Sequence, residues 1–436
     1  MLHQQRDIKV YVEAGQSFSS PIAYIWRIFS HNKKIQFSFI NNKSESDVII
    51  DSSQESNFPV HVQFYKDIAL GKFDHSNYFK SDCLIQSLYG QPDYLASCFY
   101  MINSMQEFSS KEVDEMNRFK YEASYQHKFD NIRINLVQKY FDLLFDKLQD
   151  LNIISSPKKS RDSKIFLSHD VDSVYGALIQ DGFTAIKNGD IGSLFRLFFQ
   201  SATGRPSWLN MDKIMKMESE YDFISTFYWI VNKGKFAEGI MNADYTTQEP
   251  RIKRMIKEVA ENGFENGLHK SVSHESFNTE ILKAGFPVFT NRYHYLKINL
   301  PNSFNEIEQS GVKVDSSLGF AEHYGFRNSY GLPFQPYDFK NQQSYSFVEV
   351  PMIVMDRTFF SYLHTPVDSV AKTIINFFEK NNSNTVFSLL WHNNFFESIK
   401  YRGYTEEYKK ILSFLYERKF TTTNAREMYT DYFISI

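Results

Sequence analysis

From residue 165 onward the chain alternates short, wholly apolar runs with stretches of helical periodicity, and several of the runs break off at a cluster of His, Asp, Arg or Asn. Ile165-Phe166-Leu167 leads into Ser168-His169-Asp170-Val171-Asp172, and residues 224–230 form a second strand-like run. Ile252, Met255, Ile256 and Val259 then share one helical face that stops at Gly263, after which a short strand ends at Gly267-Leu268-His269. Further helices are predicted at 303–309, 367–379 and 406–418, and strands at 312–314, 348–351, 386–391 and 420–423. Such alternation over about 270 residues argues for an α/β fold, a parallel sheet covered by helices, open or closed into a barrel. In either form, polar residues just past the strand C-termini are where chemistry is expected.

Residues 155–164, polar and basic with one Pro, read as a linker. It separates an N-terminal α/β domain, 1–155, expected to be structural or substrate-orienting, from a domain spanning 160–436. In the first part, strands are predicted at 8–12 and 48–50 and helices at 95–105 and 134–151. Cys83 and Cys98 do not make a disulfide framework and read as reduced, buried residues. A balance of 48 basic and 51 acidic residues gives no electrostatic case for nucleic acid. Residues 1–9 lack the apolar core of a secretory signal and no window is apolar enough to span a bilayer, so the expected compartment is the cytoplasm.

Four polar clusters sit where strands end. Asp170 and Asp172 lie at alternate positions of an extended strand and can point into one site, one binding a metal and the other acting as a base. A capping pair that opens a helix explains them equally well. His269 and His274 are two plausible metal ligands, but at i, i+5 they share no helical face and reach one ion only from a loop. Arg292, in Arg292-Tyr293-His294-Tyr295, can hold a carboxylate in two-pronged fashion. His392 emerges from an apolar strand beside Asn393 and Asn394, placed to act as a general acid or to sit satisfied in the core.

Taken in order, Asp-x-Asp, then His269, then Arg292, then a strand-end His resembles the polysaccharide deacetylase (NodB-homology) family of carbohydrate esterases. The resemblance runs from Lys164 to Phe433 and includes Ser225-Thr226-Phe227-Tyr228, Val314-Asp315-Ser316-Ser317 and Glu349-Val350-Pro351. It is closest to a bacterial subgroup with His-Asp-Val-Asp, Arg-x-His-Tyr-Leu and Leu-Trp-His-Asn motifs and its own N-terminal domain, to which Asn117-Arg118-Phe119 is similar. The resemblance implies a distorted (β/α) barrel. It implies Asp170 as general base, Arg292 orienting it, and His392 as the acid that protonates the leaving group. Asp172 and His269 would be metal ligands, with zinc the first candidate ion. The family's second motif has histidines at i, i+4, and here that residue is Ser273, so His274 is the expected third ligand and His294 the alternative. Asp315 and Asp356 are expected to orient His392. Tyr295, Trp391, Asn393 and Phe326, with Tyr293, Phe395 and Phe396 nearby, are expected against the sugar.

The implied reaction is hydrolysis of an N- or O-acetyl group on a carbohydrate, expected to be a surface-polysaccharide precursor carried on a lipid or nucleotide. The rival readings are hydrolysis of a non-sugar C–N bond and a metal-free homologue that binds a glycan or a partner protein. Residues 175–201, with Leu194-Phe195-Arg196-Leu197-Phe198-Phe199, read first as a helix packed on the barrel and second as a lid or a peripheral membrane contact.

Overall fold

The computed structural model describes residues 7–13, 16–72, 84–87, 90–204, 206–236 and 239–434, without the side chains of 16–18. Cys98 is buried, and Cys83 lies outside the described residues.

The N-terminal region comprises β1 (Ile8–Val12), α1 (Gln16–Lys33), β2 (Phe37–Ile40), β3 (Val48–Ile50), α2 (Val62–Ala69), α3 (Tyr94–Ile102), α4 (Tyr125–Lys128) and α5 (Leu136–Asp150). Its three strands form a small parallel sheet, β2-β1-β3, with Val10 opposite Val48. In α5, Val137, Tyr140, Phe141, Leu144 and Leu148 are buried at three- and four-residue intervals, which is the stripe that holds a helix against a core.

The remainder runs β4 (Lys164–Val171), α6 (Ala177–Lys187), α7 (Ile191–Ala202), α8 (Met211–Ser219), β5 (Ser225–Trp229), α9 (Pro250–Glu261), β6 (Glu265–Lys270), α10 (Phe277–Ala284), β7 (Thr290–Tyr293), α11 (Asn302–Ser310) and β8 (Val314–Asp315). After the small hairpin of β9 (Tyr337–Asp338) and β10 (Gln343–Ser344) come β11 (Val348–Glu349), β12 (Val354–Met355), α12 (Val367–Lys380), β13 (Val386–Leu390), α13 (Tyr404–Glu417), β14 (Thr421–Thr422) and α14 (Ala425–Tyr432). The main sheet has the order β11-β8-β7-β6-β5-β4-β13-β12, with β14 also on β4, and every pairing in it is parallel.

The two edge strands, β11 and β12, are consecutive in the chain, and this fixes the shape of the sheet. Eight strands laid flat would hold the edges roughly 34 Å apart at about 4.8 Å per strand. The steps from Glu349 to Val354 reach at most about 18 Å. The sheet therefore curls into an incomplete barrel, and Ser388 stitches the gap by donating to the Pro351 carbonyl and accepting from the Ile353 amide. Because all strands run the same way, the residues at the ends of β4, β6, β7, β12 and β13 arrive at one rim.

On β4 the outward Ile165 and Leu167 pack with residues of α12 and α13, including Ile374 and Ile411. The inward Phe166 joins the cluster that contains Trp26, Phe99 and Phe141 of the N-terminal region. The two regions are also clamped by a buried two-pronged ion pair, Arg327 Nε and Nη2 on Glu107 at 2.9 and 2.6 Å. Beside it Gly325, at φ +126°, comes so close that a Cβ would lie 2.3 Å from the Ile132 carbonyl oxygen. Residues 155–163 hold no helix or strand, yet Arg161 donates to the His31 carbonyl and its amide to Asn384.

Candidate active site

The rim carries a cavity of about 410 Å³ lined by Asp170, Asp172, His269, His294, His392 and Tyr295 among others. Asp170 is the last inward-facing residue of β4, and Asp172 follows the strand end at the alternate position, so both acids face the cavity as the extended spacing requires. Arg292, fully buried on β7, donates from Nη1 to Asp170 Oδ1 at 2.8 Å and to Ser168 Oγ at 2.9 Å. Its Nε donates to the Ser316 carbonyl, and the guanidinium lies 4.5 Å over the Tyr228 ring. A side chain so fully tied holds the carboxylate in one orientation.

Asp172, His269 and His294 form a group that could hold a metal ion, with ligand atoms all within 4.8 Å of one another. Asp172 Oδ1 lies 3.4 Å from His269 Nε2 and 3.6 Å from His294 Nε2. Both imidazoles are oriented by their other nitrogen. His269 Nδ1 is 2.8 Å from the Arg292 carbonyl, which can only accept, so the proton sits on Nδ1 and the Nε2 lone pair faces inward. His294 Nδ1 is 3.4 Å from Asn242 Oδ1, and that oxygen also accepts from the Val272 amide while Asn242 Nδ2 donates to the Val272 carbonyl, which fixes the amide's direction. Asp172 Oδ1 and His269 Nε2 are buried polar atoms with no hydrogen-bond partner. Orphaned atoms of this kind are costly unless something electrophilic meets them. The site therefore fits a cation.

The neighbouring charges shift each of these groups differently. Burial alone would raise the Asp170 pKa, but His269, Arg292 and His392 hold it below the ordinary carboxylate value. Asp172 is likewise lowered despite burial, by His294, His269 and His392. Burial pulls the His269 pKa down, and the two aspartates outweigh it to give a net rise. In His294 burial wins over Asp172, and the pKa falls to about 3, so this ring is neutral and its nitrogen available. His392 Nδ1 lies 2.7 Å from Asp356 Oδ1, the same carboxylate accepts the His392 amide at 2.7 Å, and His392 Nε2 faces Asp172 Oδ2 at 3.6 Å.

Several expectations are corrected. His274 is not in the ligand group: β6 ends at Lys270, the following loop turns outward, and His274 packs edge-on to Phe236 beside a different cavity. Ser273 instead donates to Glu280. His294 takes the third position. Asp315 does not orient His392; it accepts from Asn291 Nδ2 at 2.6 Å, and its pKa is raised by burial beside Glu349. Asp356 alone has that contact. Phe326 and Trp391 are wholly buried, the first against Phe377 and the second against Tyr404 and Tyr408, so neither can touch a substrate. Asn393 is spent on the Ser173 and Trp208 carbonyls, while Asn394 lines the cavity. Tyr293 is buried with its hydroxyl on Glu306, Phe395 stacks on Tyr401 at 3.9 Å, and Phe396 is buried.

Tyr295 does stand at the mouth. It and Leu296 are consecutive non-glycine residues at φ 60° and 52°, a strained conformation that turns the chain sharply after β7. The turn sets the Tyr295 ring 4.0 Å from the His294 ring, with its hydroxyl donating to the Met241 carbonyl. The cavity also contains residues that sequence reasoning left out. Arg118, from the N-terminal region, pairs with Asp114 and donates to the Tyr295 carbonyl at 2.8 Å and to the Tyr362 hydroxyl at 3.1 Å. Arg357 lies 3.9 Å from Asp172 Oδ2. Behind the site, His169 meets the Trp391 carbonyl at 2.7 Å and Glu218 at 2.9 Å, tying β4 to the residue just before His392.

Residues 10–153 match the family described as "Family of unknown function (DUF7033)". No curated protein matches the chain. Solved structures similar to it include two. One is a presumed polysaccharide deacetylase from Mycobacterium smegmatis, at 14% identity over 63% of this chain and 90% of that one, with a TM-score of 0.39. The other is a mutant of a CE4 family pseudoenzyme with restored enzymatic activity, at 10% identity over 65% and 74%, with a TM-score of 0.28.

Proposed function

We propose that the protein is a metal-dependent hydrolase that removes an acetyl group from a carbohydrate. One observation carries the reading: Asp172 and His269 present buried, unpartnered ligand atoms at a cavity where a separate acid, Asp170, is held ionised by Arg292. A divalent ion held by Asp172, His269 and His294, with zinc the first candidate, would supply Lewis-acid polarisation of the acetyl carbonyl and an acidified water. Asp170 accepts the proton of the attacking water, and its lowered pKa keeps it ionised for that role. Arg292 keeps its second oxygen occupied so that the free one faces the cavity. His392, oriented by Asp356 at Nδ1, faces the cavity with Nε2 and is placed to pass a proton to the leaving nitrogen or oxygen. A positioned acid or base of this kind contributes about 10²–10⁴-fold. Tyr295 flanks the sugar at the mouth.

The test is metal analysis of the purified chain together with acetate release from acetylated sugars, with and without added zinc. One bound ion and metal-stimulated acetate release are expected. A metal-free protein that zinc does not activate would instead support the glycan-binding, non-catalytic reading.

A further inference from the structure

The hairpin of α6 and α7 is amphipathic in the wrong sense for a helix pair packed on a barrel. On α6 the buried residues are small or polar: Ala177, Asp181, Gly182 and Ala185. Ile179, Phe183 and Ile186, at i, i+4 and i+7, face outward with 76%, 70% and 66% of their surface exposed. On α7 Leu197 is the one buried residue, while Ile191, Phe195, Phe198 and Phe199 are at least 65% exposed. A contiguous apolar face of this size marks a contact surface.

Its charges indicate what the contact is. The two acids of the hairpin are spent: Asp181 accepts from Ser398 Oγ and the Lys400 amide, and Asp190 caps the Ser193 amide and meets Arg402. Lys187 and Arg196 are exposed and in no salt bridge among the described residues, Arg196 acting on Asp190 only through space, so an apolar, basic face stands on a chain of net charge -3. A second copy docked two-fold on the same face would set these cations against each other. An anionic lipid surface complements them and accepts the phenylalanines. The face also runs into the cavity: Ile179 lines it, and the partly exposed Met241, Tyr295 and Tyr362 continue its apolar rim. No helix among the described residues is long and apolar enough to cross a membrane.

We infer that the α6–α7 hairpin seats the protein on an anionic bilayer with the cavity mouth at headgroup level, and that the acetylated sugar is the headgroup of a lipid-linked glycan. The substrate half rests on the deacetylase reading; the bilayer half does not. The test is flotation of the full chain with vesicles of phosphatidylcholine alone and of phosphatidylcholine mixed with phosphatidylglycerol. The wild type is expected to float with the mixed vesicles. The F183S/F195S/F198S variant should bind on the order of a hundredfold more weakly, because three exposed aromatics no longer enter the lipid. K187E/R196E should lose the preference for anionic lipid. Acetate release from a soluble sugar should stay unchanged in the triple serine variant and release from a vesicle-borne glycolipid should fall. Equal release from both substrates in wild type and variant overturns the substrate half. Absence of wild-type flotation, or equal flotation of the triple variant, overturns the bilayer half, as does a dimer that the variant dissolves without any vesicle binding. Loss of flotation in the variant with no acetate release from any sugar supports the bilayer face and removes only the deacetylase reading.

Discussion

Asp170 with Asp172 at the end of β4, and Asp315 with Glu349 on β8 and β11, are two pairs of acids set into one curled sheet, and their surroundings drive them in opposite directions. The first pair is met by Arg292, His269, His294 and His392, and both of its pKa values fall. The second is met by neutral donors, the Asn291 amide and the Ser317 and Leu318 backbone, and burial raises both. Glu349 Oε2 gains a donor only if the pair keeps a proton between its two carboxyls. Burial is common to both pairs, and the charge of the partner decides the outcome. The first pair is thus kept ionised, as facing a cation requires, and the second serves as a neutral brace between strands.

The contrast can be broken at its charged end first. Asp172→Ala should abolish metal binding and lower acetate release by at least about a thousandfold, since catalysis and the ion go together; metal analysis and initial rates check it, and a variant that keeps its ion would remove Asp172 from the ligand set. Asp170→Asn should keep the ion but lower kcat by about 10²–10⁴-fold, the worth of a positioned base. His294→Ala should weaken metal affinity by at least about tenfold, whereas His274→Ala should leave it unchanged; competition with a chelating dye separates them, and the reverse order would return the third ligand to the loop after β6.

The smallest effect is expected at the neutral brace. Glu349→Gln preserves a donor toward Asp315 and should lie within about 1 kcal/mol of wild type. Its pH trend is diagnostic. The folded pKa of Glu349 is raised, so its contribution is fully present below the unfolded value near 4.5 and is lost as pH rises through the folded one. Denaturation at about pH 5 and about pH 8 should therefore show the variant gaining on the wild type as pH rises. A parallel trend in both proteins would mean the pair is ionised.

Much of the site was legible because extended strands obey a period of two and parallel strands end together. That placed Asp170 with Asp172 and set His269 and His392 at strand ends, while the pairing of Arg292 with Asp170 came from the family resemblance. What failed were inferences from neighbourhood in sequence. His274 is five residues from His269 but across a loop, while His294, beyond a strand too polar to be recognised as one (Thr290-Asn291-Arg292-Tyr293), is adjacent in space. Trp391 and Phe326 adjoin functional residues yet point into the core. The 18-residue α1 escaped notice because Pro21 sits inside it, where the ring removes only a local hydrogen bond. Arg118 stood in a stretch that resembles the subgroup's N-terminal domain, but nothing local pointed it at the cavity, since that contact depends on how the N-terminal region lies against the barrel.

That placement has a consequence for how such a protein diversifies. The strand ends hold Asp170, Asp172, His269 and His392, whose positions are set by the sheet. Arg118 contributes to the cavity wall from a separate stretch of chain, reaching the residues that frame the mouth, Tyr295 and Tyr362. The shape of the cavity mouth can therefore change through the N-terminal region, by exchanging the segment around Asp114 to Arg118, while the rim of the sheet stays fixed. Grafting that segment between relatives would change the cavity wall without touching the strand ends.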